Sequence, residues 1–298
     1  MNWNETRQFL APFFPEDVCA EMDMLMPGEL REIRIRAERP TVFVTAARTA
    51  SLPWMPEKAH LAALLEAFSE HSLYARTDET SQGYLTLRGG HRMGLCGRIA
   101  KADSQPVLSD VGSVCIRIAG EWPGCADALL ACIGETPQSL LIIGPPGSGK
   151  TTILRDLARQ LASGRNAKQL AIVDERSEIA ACVAGIPQLD VGTSSDVLDS
   201  LHKREAIPWL IRSMAPEIII TDEIGSDADA SAVLEAVSSG IAVCASAHGA
   251  SLQDAAVRPA LANLMARRVF GLYAVLSQEG GGQLAGLYDR TGNPIISA

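Results

Sequence analysis

Aromatic residues are scarce in this chain: Phe, Trp and Tyr make up 5% of 298 residues. Ala and Leu fill much of the apolar share instead, which favours helix-rich α/β packing over an all-β sandwich. No run of about 18 apolar residues occurs, so no segment reads as a membrane-spanning helix. The opening Met1-Asn-Trp-Asn-Glu-Thr-Arg7 lacks the basic-then-apolar order of a signal peptide, and the protein is expected to stay in the cytoplasm. A basic excess is also missing: 26 Lys and Arg stand against 35 Asp and Glu, a formal charge of −9. That balance argues against nucleic acid as the default partner, while leaving a local basic patch open. The 7 cysteines form no C-x-x-C pair and show no zinc-binding spacing. They read as reduced, buried thiols.

What remains is enough to build two cores. Hydrophobic residues make up 47% of the chain and charged ones 20%, so disorder is not expected. Up to residue 122 the pattern is that of an α+β domain. Residues 3–26 carry apolar positions at roughly helical spacing, and Leu30–Arg36 alternates as a half-exposed strand does. Further strands are predicted over Thr41–Thr45, Gly83–Leu87, Met93–Ala100 and Ser113–Ile118, with a helix over His60–Ser69. Trp122-Pro-Gly124 punctuates a linker, and a second domain is expected over 123–298. Gly134-Glu-Thr-Pro137 leads into its first strand. There, strands at Leu140–Ile143, Leu170–Val173, Ile218–Thr221 and Ile241–Ala245 alternate with helices at Ala126–Ile133, Lys150–Ala162, Ala228–Ser238 and Leu252–Ala266. Repeated strand–helix units imply a mainly parallel sheet covered on both faces. Val269–Leu276 and Leu284–Tyr288, around Gly280-Gly-Gly282, read as a closing hairpin.

The strongest chemical signal is Gly144-Pro145-Pro146-Gly147-Ser148-Gly149-Lys150-Thr151, a match to G-x-x-x-x-G-K-[ST] between a strand and a helix. Glycines let backbone N–H groups wrap a phosphate, and the helix start adds partial positive charge. Lys150 would reach the β- and γ-phosphates of ATP. Thr151 would offer its hydroxyl to Mg²⁺, and Thr152 completes the nucleotide-binding segment.

Hydrolysis needs a metal anchor and a group that orients water. Ile218-Ile-Ile-Thr-Asp-Glu223 is an apolar strand ending in two carboxylates. Asp222 would hold the magnesium ion, and Glu223 would polarise the attacking water. Ile172-Val-Asp-Glu-Arg-Ser-Glu178 offers Asp174, Glu175 and Glu178 near the same edge if its strand lies beside the phosphate-loop strand. Glu175 is therefore a rival to Glu223, and a surface turn salt-bridged through Arg176 is an equal alternative. His248, in Ser246-Ala-His-Gly249, follows another strand and could sense the γ-phosphate. Arg92, Arg98 and Arg117 are candidates for an arginine supplied to a neighbouring subunit's site. A small-molecule kinase would share the loop, but no acceptor motif is recognisable.

These boxes, in this order, resemble those of the secretion (traffic) ATPases of the type II and type IV class. Arg212–Gly225 resembles their Walker B segment, Ser238–Gly249 their histidine box and Ile172–Glu178 their acidic box. With His91–Arg98, Ser113–Ala119 and Val173–Ile179, the chain is similar to the stage III sporulation protein AA family, from about Arg31 to Leu276. The resemblance implies a RecA-like P-loop core, a smaller N-terminal domain and a homo-hexameric ring. It implies an ATP- and Mg²⁺-dependent ATPase that energises an envelope channel between mother cell and forespore. Its partners would be the other stage III sporulation channel proteins, through which it would touch the membrane from the mother-cell side. By position, Glu175 or Glu223 would activate water, His248 would contact the γ-phosphate, and Arg98 or Arg117 would reach the nucleotide. One departure stands out: many traffic ATPases have Gly where this chain has Asp222.

Overall fold

A computed structural model describes residues 3–45, 47–69, 77–81, 83–102, 105–133, 137–277 and 281–297. The breaker Gly134–Thr136 and the first glycine of the closing turn, Gly280, lie outside the described residues. The chain divides into two compact units, Met1–Gly120 and Glu121–Ala298.

In the first unit Pro12 and Pro15 break the early helical pattern. It becomes α1 (Trp3–Leu10), a short 3-10 turn and α2 (Glu16–Asp23). Then come β1 (Leu30–Arg36), β2 (Thr41–Thr45), β3 (Thr49–Leu52), α3 (Lys58–Phe68), α4 (Thr77–Ser81), β4 (Tyr84–Thr86), β5 (Arg92–Ala102) and β6 (Gln105–Arg117). The strands form one antiparallel sheet in the order β3-β2-β1-β6-β5-β4. The alternation of β1 is explained by its two faces. Ile33 and Ile35 are fully buried in a core with Leu10, Val18, Leu61 and Ile116, while Glu32, Arg34 and Arg36 take the other face.

His91, just before β5, is 1% exposed, and its Nδ1 accepts the Ala119 N–H at 3.0 Å. Its proton therefore sits on Nε2, a buried atom with no partner among the described residues. Burial lowers its pKa to about 4. The unfolded chain takes up the proton near pH 6.5, so His91 leaves stability intact above that pH and erodes it as pH falls towards 4. The loss should reach about 3 kcal/mol for a shift of this size. Urea unfolding at pH 7 and pH 4.5 should show a smaller pH effect in His91→Gln than in the parent. Equal losses would show that His91 is not the group responsible.

The second unit contains α5 (Asp127–Ile133), β7 (Leu140–Gly144), α6 (Lys150–Leu161), β8 (Leu170–Asp174), β9 (Ser195–Asp199) and α7 (Lys203–Ser213). It continues with β10 (Ile218–Glu223), α8 (Asp227–Ser238), β11 (Ala242–His248), α9 (Leu252–Ala256), α10 (Pro259–Ala266) and β12 (Leu272–Leu276), and closes with β13 (Leu284–Asp289) and β14 (Pro294–Ser297). The sheet order is β14-β13-β12-β7-β11-β10-β8-β9, parallel from β12 to β9 and antiparallel at β13 and β14. The apolar runs are continuous because both faces are covered. Leu141 and Ile143 enter one core with α7, α8 and α10, while Leu140 and Ile142 enter the other with α5 and α6. The segment expected as one helix over 252–266 is two, because Pro259 starts a new one. No helix among the described residues is long and apolar enough to cross a membrane.

The condition that the acidic-box strand lie beside the phosphate-loop strand is not met. β8 does not lie beside β7; β11 and β10 stand between them. Local pattern fixes which segments become strands, but lateral order depends on how long crossovers pack, which no single segment encodes. The acidic box therefore neighbours the Walker B strand, not the phosphate loop.

Candidate active site

The parallel strands β7, β11, β10 and β8 all end on one edge of the sheet, and the candidate residues gather there. The phosphate loop leaves β7 at Gly144 and enters α6 at Lys150. Gly147 and Gly149 adopt φ of +76° and +97°, which favours glycine at both places. A Cβ on Gly149 would also stand 2.9 Å from the Gly282 backbone nitrogen, and one on Gly144 would collide with the Ser148 hydroxyl. The loop is thus a cradle that side chains would fill. The Ser148 Oγ is buried without a partner among the described residues, and Lys150 Nζ donates to the loop's own carbonyls at Gly144 and Pro145, each at 2.8 Å. Burial lowers the Lys150 pKa, partly offset by Glu223. A glycine-lined loop around an ammonium that, among the described residues, has no carboxylate in hydrogen-bond contact fits a phosphate chain. Thr151 and Thr152 follow in the first turn of α6.

His248 lies beside Gly144 in the β11–β7 register. Its Nδ1 is 3.3 Å from Lys150 Nζ and its Nε2 is 2.9 Å from Glu223 Oε2. An ammonium can only donate, so Nδ1 accepts and the ring carries its proton on Nε2, aimed at Glu223. Lys150, His248 and Glu223 therefore form one polar line. A register shift between β10 and β11 at Ile220–Glu223 inserts an extra residue at the end of β10. Such a bulge breaks the strict alternation of side chains. Asp222 meets α7, and Glu223 meets His248. Beyond the strand, Asp229 Oδ2 accepts the N–H groups of Gly225 and Ser226, and Ser226 Oγ accepts that of Asp229, which fixes the start of α8.

Asp222 is buried and paired with Lys203, whose Nζ is also 2.9 Å from Glu175 Oε2. Glu175 Oε1 is 2.6 Å from His202 Nδ1, so both its oxygens are occupied. Burial pushes the Asp222 pKa up to about 6, against the pull of Lys203 and with the help of Asp174 and Glu175. Burial works the other way on Lys203, but Asp222 and Glu175 outweigh it and raise its pKa. At neutral pH the pair is carboxylate and ammonium. Glu175 is lowered: burial raises it, but the hydrogen bonds and charges of Lys203 and His202 outweigh that.

His202, Lys203 and most of α7 lie outside the motifs recognisable in the sequence. A signal was present. Lys203 stands one helical turn before Ala206 and Ile207 on the stripe that Leu210 continues, all of them buried. A lysine on an apolar stripe needs an acidic partner.

Asp174 has a different part. It is fully buried, and its carboxylate accepts N–H groups from Glu178, Ile179, Ala180 and Ala181, at 2.8–3.4 Å. Arg155 holds the same loop from outside, donating to the Glu178 and Ile179 carbonyls at 2.6 Å. Asp174 thus organises the acidic-box loop. Asp174→Ala would leave several buried N–H groups without partners and should lower unfolding stability by about 3 kcal/mol or more. A urea midpoint close to that of the parent would remove this role.

Of the arginines, Arg98 is exposed on β5, and Arg117 on β6 stands 3.5 Å from Glu32 Oε1. Arg92 lies over the Tyr84 ring at 3.7 Å. All three belong to the first unit, whereas the Lys150, His248, Glu223, Asp222 and Glu175 set belongs to the second. Among the described residues no group of three or more His, Cys, Asp and Glu could hold a metal by itself. A magnesium ion here would rely largely on phosphate oxygens and water, and Thr151 and Asp222 are the candidate protein groups to hold it.

Comparison with known proteins bears on the fold and the family. The chain superposes on the DotB ATPase of Yersinia pseudotuberculosis with a TM-score of 0.61 at 13% identity, covering 88% of this chain and 76% of that one. It superposes on the pilus retraction motor PilT, solved with bound ADP, with a TM-score of 0.60 at 15% identity, covering 90% and 80%. At such identities the likeness shows the fold, that of the RecA-like secretion ATPases. In sequence, the chain is 43% identical over 275 residues to the stage III sporulation protein AA of Bacillus subtilis (strain 168), covering 90% of this chain and 89% of the relative. Another relative, the uncharacterized protein ycf45 of Cyanidium caldarium, is 34% identical over 151 residues, covering 50% of this chain and 44% of the relative. The family description "Sporulation stage III, protein AA" matches residues 18–295, nearly the whole chain. The phosphate loop, the two acidic strand ends and the histidine beside them thus sit in a chain that belongs to the sporulation stage III protein AA family.

Proposed function

We propose that this chain hydrolyses ATP with Mg²⁺ and serves as a motor or assembly subunit of a secretion-like envelope channel used in endospore formation. The observation that carries the reading is the line from Lys150 through His248 to Glu223. It sets a phosphate-gripping cation, a polar sensor and a carboxylate on one strand edge. Mg²⁺, when bound, neutralises charge on the β- and γ-phosphates. Lys150 leaves the loop carbonyls for the phosphates, and His248 then faces the γ-phosphate. Glu223 takes the proton of the attacking water at Oε1, the oxygen that His248 leaves free. Glu175 is the weaker candidate, because His202 and Lys203 hold both its oxygens.

The family supports the place in sporulation, and the likeness to a pilus retraction motor supports mechanical work. In this reading the chain assembles as a homo-hexamer on the mother-cell side. It meets the membrane through other stage III channel proteins, and Arg98 or Arg117 completes a neighbour's site. Phosphate release measured together with light scattering, with and without ATP, tests chemistry and assembly at once. Turnover that rises with protein concentration as the scattering mass grows is the expected result. No phosphate release at any concentration would overturn the reading.

A second reading, an ATP-regulated nucleic-acid-binding protein, rests on the first unit. The pairing of β1 and β5 with β6 brings Arg34, Arg36 and Arg117 to one sheet face. Fluorescence anisotropy on single- and double-stranded probes discriminates: binding that falls steeply with salt would support it, and no binding at low salt would remove it.

A further inference from the structure

Lys203 opens α7 and is held there by the packing of Ala206, Ile207 and Leu210. Its side chain is 4% exposed, so the ammonium cannot swing to solvent as a surface lysine does. It reaches the ends of two adjacent parallel strands, taking Glu175 Oε2 after β8 at 2.9 Å and Asp222 Oδ1 on β10. Two carboxylates converging on one point repel each other. The usual ways to hold such a pair are a shared proton or a divalent cation between them. In two-metal phosphoryl-transfer sites a second ion sits a few ångströms from the first. Here a tethered cation already stands between the carboxylates. His202, the residue before it, covers the other oxygen of Glu175 at 2.6 Å.

We infer that the Lys203 ammonium is a fixed internal counter-ion, seated between Asp222 and Glu175 where a second divalent cation would otherwise bind. The inference deepens the proposed ATPase reading, since it limits each site to the one magnesium ion that arrives with the nucleotide. Lys203 is a positioning residue: it keeps Asp222 and Glu175 in place before nucleotide arrives, and it denies their shared space to free metal.

The test is Mn²⁺ binding to nucleotide-free protein, followed by electron paramagnetic resonance. The parent should bind Mn²⁺ weakly. Lys203→Met, which keeps the bulk and removes the charge, should gain one Mn²⁺ per chain, with affinity about tenfold or more above the parent, because ligand charge sets affinity in such sites. Adding Asp222→Asn to Lys203→Met should abolish the gain. Equal Mn²⁺ affinity in the parent and Lys203→Met would overturn the inference, as would a gain that survives Asp222→Asn. If Lys203→Met does not fold, the triple variant Lys203→Met, Glu175→Gln, Asp222→Asn should fold, because the uncompensated charges are gone. Failure of the triple variant as well would make Lys203 a packing residue and sink the inference. Separately, loss of Mg²⁺-ATP binding by the parent would count against the ATPase reading alone, since the Mn²⁺ comparison uses no nucleotide.

Discussion

Replacing Lys150 with alanine is expected to abolish measurable ATP turnover, a drop on the order of 10²–10³-fold or more. The ammonium is the positive side chain within the loop, held by the Gly144 and Pro145 carbonyls at 2.8 Å and within 3.3 Å of His248. Charge that develops on the γ-phosphate in the transition state needs a fixed cation at that point, and alanine offers none. The buried setting matters too. Desolvation already lowers the Lys150 pKa, so an incoming phosphate would restore to the ammonium a counter-charge that the loop carbonyls supply only in part. The variant should still fold, because among the described residues the lysine bonds only to loop carbonyls and to His248. Circular dichroism and phosphate release measured together check both halves. A folded Lys150→Ala that turned over ATP at the parent rate would mean that the phosphates bind elsewhere.

Glu223→Gln is expected to separate binding from chemistry. The variant keeps a group that can accept from His248 but loses the basic oxygen, so turnover should fall by about 10²–10⁴-fold while nucleotide affinity stays near that of the parent. Glu175→Gln should cost much less in turnover, under about tenfold, since both oxygens of its carboxylate are tied, one to His202 and one to Lys203. A fluorescent ATP analogue reports binding, and single-turnover phosphate release reports the chemical step. The reverse ranking, with Glu175→Gln inactive and Glu223→Gln active, would hand the role of base to the acidic box. His248→Ala is a useful companion to both, because His248 joins Lys150 to Glu223. If the line acts as a unit, the double variant His248→Ala with Glu223→Gln should lose little beyond Glu223→Gln alone.

Much of this was legible in the chain itself. The eight-residue loop names its own chemistry, because only glycines tolerate the backbone that wraps a phosphate, and its strand and helix neighbours show in local periodicity. The apolar runs ending in Asp222-Glu223, Asp174-Glu175 and His248 mark parallel strands whose polar tips share an edge. Less visible were β9, β14 and α7. β9 (Ser-Asp-Val-Leu-Asp) is half-polar, since it is an edge strand with one open side. α7 carries Pro208 in its interior, which in sequence reads as a break.

The roles of the carboxylates divide along the same line. That carboxylates stand at the strand ends is written in the chain, because an apolar run that stops at acids is a local pattern. What each of them touches depends on the fold. Asp174 is spent on backbone N–H groups of its own loop, Glu175 and Asp222 share Lys203, and Glu223 keeps one oxygen beyond His248. Those assignments depend on β10 lying between β11 and β8, on a bulge at Ile220–Glu223, and on the helix that delivers Lys203. Each is a relation between segments distant in the chain. Hydrogen bonds act only at contact, and charge–charge energy weakens with distance and is screened by salt beyond about 10 Å, so the chemistry of each carboxylate is set by neighbours that only the folded sheet supplies.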